Sequence, residues 1–262
     1  MGVVNVTPDS FSDGGRFLDE AAAVSHGLRL IDEGADRLDL GGESTRPGAQ
    51  PVAEDEEIAR VVPVIAALRR QSPIPISIDT MKPAVARAAV AAGATMWNDV
   101  TALSWGPDSL ATAAALGCAV VLSHMQGEPR SMQSAPCYDD VVVEVADYLA
   151  ARARAAIAAG VAREAIWLDP GLGFGKRLEH NLALIAHLNR IVALGHPVLL
   201  GASRKGFIKA IDPAAVQPGD RLGGSLAAAL AAARAGVAAV RVHDVAQTVQ
   251  ALKVQAAIEG AL

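Results

Sequence analysis

The sequence predicts a single-domain α/β protein, residues 1–262, folded as a (β/α)8 TIM barrel. Three observations predict it. Eight short apolar runs each stop on a polar or charged residue: Val3-Val4-Asn5, Leu38-Asp39, Ile76-Ser77-Ile78-Asp79, Met96-Trp97-Asn98-Asp99, Val120-Val121-Leu122-Ser123-His124, Ile166-Trp167-Leu168-Asp169, Val198-Leu199-Leu200-Gly201 leading into Ala202-Ser203-Arg204-Lys205, and Val240-Arg241-Val242-His243. The stretches between them carry helical periodicity, and such alternation implies parallel strands joined by helices. The chain length gives about 33 residues per unit, the size of a βα repeat. A doubly wound open sheet is the alternative, but it usually carries a glycine-rich dinucleotide turn after its first strand. Here that strand leads into Thr7-Pro8-Asp9-Ser10-Phe11-Ser12-Asp13-Gly14-Gly15, which lacks G-x-G-x-x-G. Polar residues after all eight strands favour closure, because each strand then feeds one mouth.

Taken in order, strands are predicted at 2–6, 36–40, 74–79, 94–98, 118–123, 165–169, 197–201 and 238–242, and helices at 19–34, 54–71, 82–92, 107–116, 138–160, 178–194, 220–235 and 244–259. The second helix places Glu54, Asp55, Glu56 and Glu57 in its first turn and Arg69 and Arg70 in its last, both favourable to the helix dipole. Pro63 inside it predicts a kink or a shorter helix. Gly34, Gly93, Gly117, Gly160 and Gly236 follow helices, where a left-handed cap favours a residue without Cβ. No composition break or flexible linker divides the chain.

Hydrophobic residues make up 52% of the chain, enough for one large core without disulfide stapling. A net charge of −5 argues against nucleic acid as a main partner, which asks for a basic face. Two cysteines, Cys118 and Cys137, give neither a disulfide framework nor a zinc spacing. No secretory signal pattern opens the chain, and the longest apolar tract, Leu226 to Val240, is broken by Arg234 and Gly236. A cytoplasmic protein with no membrane partner is the expectation.

The strand-end residues divide by chemistry. Asp79, Asn98 and Asp169 supply acceptors, and Asn98 adds amide donors, a set that complements a flat heterocycle carrying amino and ring N–H groups. Lys205 can donate to a ring nitrogen or carbonyl, or serve as an amine nucleophile. Arg241 and His243 are two apart on the last strand and therefore point the same way. With Asn5 on the neighbouring first strand they form a cradle suited to phosphate or diphosphate, which Mg²⁺ could assist. The bland alternative is a set of barrel-interior polar groups satisfying one another. That holds for any one of them more readily than for six strand ends together. The turn Asp169-Pro170-Gly171-Leu172-Gly173-Phe174-Gly175-Lys176 has glycines at alternate positions, which permit close backbone approach or positive φ, and it is not a P-loop. Arg46, in Gly41-Gly42-Glu43-Ser44-Thr45-Arg46-Pro47-Gly48, could reach a carboxylate or phosphate.

These segments together resemble the dihydropteroate synthase family. The resemblance rests on the stretch from Asn5 to Gly15, on Asp39-Leu40 followed by the Gly41–Gly48 turn, and on Ser77-Ile78-Asp79-Thr80. It continues through Asn98-Asp99-Val100, His124-Met125-Gln126-Gly127, Asp169 to Lys176, Ser203-Arg204-Lys205 and Arg241-Val242-His243-Asp244-Val245. It spans essentially the whole chain in order. The resemblance implies a (β/α)8 barrel that joins a dihydropterin diphosphate to p-aminobenzoate, releasing diphosphate and forming dihydropteroate for folate synthesis. It implies that Asp79, Asn98, Asp169 and Lys205 hold the pterin, with Met125 packed against it. Asn5, Thr45, Arg241 and His243 would bind the diphosphate, with Asn5 also on Mg²⁺. Ser10, Phe11, Thr45, Arg46, Pro47, Phe174 and Ser203 would border the p-aminobenzoate channel, which sulfonamides also occupy in this family. The catalytic set would be Asp79, Lys205, Arg241 and His243, acting by an SN1-like course in a homodimer.

Three departures stand out. Family members generally carry residues ahead of the Met1-Gly2 position, often a hairpin closing the barrel bottom, so a trimmed chain or a misassigned start is expected, with a weakly supported barrel floor and first strand. Gly206 stands where serine is common, leaving a backbone N–H as an anion donor, and Leu172 stands where an aromatic is common. The rivals are a pterin-binding methyltransferase barrel, a non-catalytic pterin-binding paralogue, and a Schiff-base aldolase using Lys205. Among single residues, His124 is expected to be structural, as are His26, His180, His187 and His196 at the surface or in caps. Trp97 and Trp167 are expected in the core. Asp39 and Glu43 are expected as rim acids, and Asp99 as a loop support.

Overall fold

The computed structural model describes residues 1–6, 16–44, 50–127 and 131–261. Its strands are β1 Gly2–Asn5, β2 Leu38–Gly41, β3 Ile76–Asp79, β4 Met96–Asp99, β5 Ala119–Ser123, β6 Ile166–Asp169, β7 Leu199–Leu200 and β8 Ala239–Val240. Strands β1 to β6 pair in parallel in chain order, and β7 pairs in parallel with β8. Two parallel bridges, Leu168 with Val198 and Gly2 with Val242, join these sheets at both seams. The Leu168 N–H donates to Pro197 O at 2.9 Å, and the Val3 N–H to Val242 O at 3.0 Å. The eight strands therefore close into a ring, the (β/α)8 barrel the alternation predicts. The first strand is bonded on both sides, and the Met1 ammonium donates to Val240 O at 2.9 Å.

The helices are α1 Arg16–Asp32, α2 Glu54–Gln71, α3 Pro83–Ala91, α4 Ser109–Leu116, α5 Val141–Ala158, α6 Leu178–Ala186, α7 Leu188–Val192, α8 Gly206–Ile211, α9 Leu222–Arg234 and α10 Val245–Glu259. Helix α2 runs uninterrupted through Pro63. The helix expected over 178–194 divides at His187, and α8 falls where no helix is expected from the sequence. Six residues are too few to express a helical apolar period. Gly117 closes α4 in the left-handed conformation, φ 62°, with its N–H on Ala113 O.

Alternation along each strand builds two cores. Outward residues such as Val4, Leu40, Ile78, Trp97, Leu122 and Leu168 are buried against the helices. Inward residues Met96, Val121 and Leu199 form a separate cluster, packed by Met1, Ala119, Trp167 and Ala239, which plugs the lower barrel. Burying side chains of this size contributes about 1.5–3 kcal/mol each. Trp97 is fully buried, whereas Trp167 is half-buried in the plug with the Arg37 guanidinium 5.5 Å from its ring. Register then layers the polar residues: Asn5, Gly41, Asp79 and Asn98 are successive cross-strand partners. One layer below, Val3, Asp39, Ser77 and Met96 are partnered in the same way.

Candidate active site

The floor beneath the strand carboxyl ends is a chain of hydrogen bonds between distant strands. Arg241, just past β8, donates from Nε to Asp39 Oδ2 at 2.5 Å and from Nη2 to Asp79 Oδ2 at 2.8 Å. Asn98 donates from Nδ2 to the same Asp39 oxygen at 3.2 Å. Asp169, at the end of β6, accepts the Gly171 N–H at 2.7 Å. Lys205 donates from Nζ to Leu172 O and stands 4.7 Å from the centre of the Phe174 ring. The structure thus brings the predicted pterin set, Asp79, Asn98, Asp169 and Lys205, to one mouth.

Backbone geometry in two turns aims these groups. In the turn after β6, Gly171, Gly173 and Gly175 all have positive φ, as the alternate glycines predict. A Cβ on Gly171 would overlap the His124 carbonyl oxygen, and one on Gly175 the Gln126 carbonyl oxygen, so this turn lies flush on the end of β5. Lys176 fastens it: the buried Nζ bonds His124 Nδ1 at 2.8 Å, His124 O at 3.2 Å and Phe174 O at 3.0 Å. In the turn after β7, Arg204 takes φ 58°, rare for a residue with a Cβ. Its N–H donates to Ser225 Oγ at 2.9 Å, and its guanidinium forms a two-pronged pair with Asp244 at 2.9 and 2.5 Å. That strained residue turns Ser203 towards β8 and Lys205 over the mouth, a common use of local strain.

Electrostatics follow from one guanidinium serving two carboxylates. Burial pushes the Asp79 carboxyl up to about 7; Arg241 opposes the rise and the Asp39 charge adds to it. Burial also raises Asp169, against the pull of Lys205 and the Gly171 N–H. The Lys205 amine is pushed down to about 8 by burial, with Asp169 opposing. Burial works against the Arg241 charge, but Asp39 and Asp79 outweigh it and hold the guanidinium above its ordinary range. His124 is driven down to about 3 by burial and then by Lys176, so it is a neutral ring with edge contacts to Tyr148.

The remaining expectations divide. Asn5 and His243 do line one cavity, with Ser25, His26 and Arg29 of α1. Arg241 stands apart from that cradle, its guanidinium turned down into the floor. His243 instead bonds Ser203: its Nδ1 lies 3.0 Å from Ser203 Oγ, which also accepts the His243 N–H at 3.2 Å. Met125 and Phe174 are half-buried beside the floor, and Ser203 is buried. Ser10, Phe11, Thr45, Arg46 and Pro47 lie outside the described residues.

Three readings need correction. Asp39 is completely buried and ion-paired, not a rim acid. Glu43 pairs with buried Lys82, which also bonds Glu57 at 2.7 Å and Val52 O at 2.6 Å. His196 is buried rather than superficial. Asp99 supports its loop as expected, accepting the Thr101 and Leu103 N–H groups at 2.8 Å each. Sequence reasoning overlooked Lys176, Lys82 and the Arg204–Asp244 pair. The hint for the last was an Asp closing the Arg241-Val242-His243-Asp244 run next to an arginine-bearing turn.

Among the described residues no group of three or more His, Cys, Asp and Glu side chains is placed to hold a metal ion. Asn5 offers a single amide oxygen at the mouth, which fits an ion that takes its other oxygens from phosphate and water, the usual habit of Mg²⁺.

The model of the pterin binding enzyme family matches residues 1–243. The dihydropteroate synthase of Escherichia coli (strain K12) is 47% identical over 254 residues, covering 97% of this chain and 89% of that protein. The structure of Xanthomonas albilineans dihydropteroate synthase with 4-aminobenzoic acid superposes with a TM-score of 0.93 at 53% identity, covering 98% of this chain and 92% of that one. The same organism's enzyme in complex with 7,8-dihydropteroate gives a TM-score of 0.89 at 50% identity, over 98% and 92% of the two chains. With the barrel, the polar floor and these matches in hand, the chain belongs to the pterin-binding enzyme family, among its dihydropteroate synthases.

Proposed function

We propose that this transferase joins the methylene carbon of 6-hydroxymethyl-7,8-dihydropterin diphosphate to the amino nitrogen of p-aminobenzoate, forming 7,8-dihydropteroate and diphosphate in folate biosynthesis. The observation that carries the reading is the convergence of Asp79, Asn98, Asp169 and Lys205 on one buried mouth in a chain of this family. Asp79 and Asp169 accept from the amino and ring N–H groups of the pterin, Asn98 adds its amide, and Lys205 donates to the ring carbonyl or a ring nitrogen. Met125 packs against the ring.

The course is SN1-like. The methylene C–O bond breaks, its electron pair leaves with the diphosphate, and the arylamine lone pair then attacks the pterin methylene cation. The amine proton departs to the diphosphate or solvent. Ionised Asp79 stabilises the cation, while His243 and Arg241 offset the charge growing on diphosphate and the Thr45 hydroxyl donates a hydrogen bond to it. Arg241 must then swing from the floor, where Asp39 and Asp79 hold it, or act through its field. Mg²⁺, held by Asn5 and diphosphate oxygens, would supply further neutralisation of the leaving group. Phe174, Ser203 and the segments carrying Ser10, Phe11, Thr45, Arg46 and Pro47 border the p-aminobenzoate channel, which is also where sulfonamides would compete.

No helix among the described residues is long and apolar enough to cross a membrane. We place the enzyme in the cytoplasm and assemble it as a homodimer, in keeping with the family resemblance; exposed Ile211, Val216, Val254 and Ile258 are apolar surface available for such an interface. Mixing the protein with the pterin diphosphate, p-aminobenzoate and Mg²⁺ tests the activity: diphosphate and dihydropteroate should appear in equal amounts. Tight pterin binding without diphosphate release overturns it.

A further inference from the structure

None of the binding roles above uses Asp39, yet it is completely buried in the barrel interior one layer below Asp79. Its Oδ2 accepts from Arg241 Nε at 2.5 Å and from Asn98 Nδ2 at 3.2 Å. Arg241 carries the chain of bonds on to Asp79. Arg241 and Asn98 therefore share one carboxylate oxygen, and Asp79 joins them through the Arg241 guanidinium. Among the described residues the other oxygen, Oδ1, is buried without a hydrogen-bond partner, and so is Ser77 Oγ on the residue paired with Asp39 across β2 and β3. A buried carboxylate left half-satisfied weakens a fold, and an apolar side chain would fill the same space at less cost. The charge is thus poorly explained by packing.

We propose that Asp39 is a positioning residue of the active site: through one oxygen it fixes both Arg241 and Asn98, and it divides the Arg241 guanidinium between itself and Asp79. The proposal rests on the reading of ionised Asp79 as a pterin partner. The charges that act on Asp79 are those of Arg241 beyond β8, Asp39 from β2, Glu57 from α2, Asp99 from β4 and Lys205 from the turn after β7. Of these, Asp39 touches Asp79's own counter-ion directly. Neutralising Asp39 removes a like charge and releases Arg241 wholly to Asp79. Both changes ease Asp79 ionisation, so pterin binding should persist to lower pH.

The test measures binding of 6-hydroxymethyl-7,8-dihydropterin by calorimetry across the neutral range, in the full chain and in Asp39→Asn, Asp39→Glu and Asp79→Asn. The wild-type affinity should weaken as pH falls through the Asp79 titration. In Asp39→Asn that weakening should move to lower pH by about one unit, while Asp39→Glu, which keeps the charge, stays near wild type. Asp39→Ser replaces the asparagine variant if the latter does not melt cooperatively. A weakening that Asp79→Asn abolishes but Asp39→Asn leaves in place overturns the Asp39 proposal alone. One that persists in Asp79→Asn overturns the reading of Asp79 and the proposal with it.

Discussion

The barrel interior holds two opposite environments one strand layer apart. Below, Met96, Val121 and Leu199 pack with Met1, Ala119, Trp167 and Ala239 into an apolar plug. Above, the same strands present Asn98, Asp169 and Arg241, each two residues beyond a plug residue. Two residues along a parallel strand is a step of about 6.6 Å. In that step the interior changes from a place that stabilises the fold to one that strains it. The plug gains from burial alone. The floor gathers three aspartates, buried Asp39 and Asp169 and half-buried Asp79, against two half-buried cations, Arg241 and Lys205, and desolvation pushes Asp79 up and Lys205 down. The comparison teaches that stability and chemistry are separated by layer rather than by element, so single substitutions should split them.

The largest effect is expected at the upper layer. Asp79→Asn should lower turnover by about 10²–10⁴-fold, the range for a charge placed against a developing transition state. Its stability should not fall with it. Desolvation pushes the folded carboxyl up to about 7 from 3.8 for a free aspartate, so between these values the folded chain binds more protons than the unfolded one. Ionised Asp79 therefore works against folding above neutral pH, and this cost is relieved as pH falls from 7 towards 4. Melting of Asp79→Asn at alkaline pH should accordingly match or exceed wild type; a large drop would show that the charge holds the barrel together. Wild-type turnover should decline as pH falls through about 7.

Next in size is Gly171→Ala, which forces a Cβ into the His124 carbonyl at φ 68°. Overlap and strain together should cost about 3–4 kcal/mol in denaturant unfolding and weaken activity too, because the turn carries Phe174 and braces Lys205. An unaffected rate would detach that turn from the site. Met96→Ala in the plug should cost about 2–4 kcal/mol of stability. The turnover of the folded fraction should be unchanged, and a lost rate would mean the layers are mechanically coupled. At the bottom of the scale, Asp108→Ala removes only the exposed 3.2 Å pair with Arg87 and should change unfolding by about 0–1 kcal/mol, with kinetics as wild type.

Legibility followed the same division. Asp79, Asn98 and Asp169 could be read from the sequence because a strand's alternation is local and ligands gather at strand carboxyl ends. Asp39 reads as a rim acid because the apolar run stops at it, whereas β2 runs on to Gly41. That small extension lowers Asp39 by one layer, from rim to interior. The short α8 and the break at His187 were invisible for want of a full apolar period. Lys176 and Lys82 look like ordinary solvated lysines until groups remote in sequence pack around them, at separations of 52 residues to His124 and 25 to Glu57.

By itself the sequence determined the order of eight strands and their helices, the glycine positions that allow the turn after β6, and the acid and amide residues that end the strands. Each of these depends on neighbours a few residues away. Only the tertiary structure decided that Arg241 points down to Asp39, 202 residues distant, and to Asp79, rather than out beside His243. Ring closure brings β8 against β1, and partial desolvation then makes the Asp39 and Asp79 carboxylates bind the nearest guanidinium more strongly than they would in water. No local pattern records which strands will meet at that seam, and so none could assign the partner.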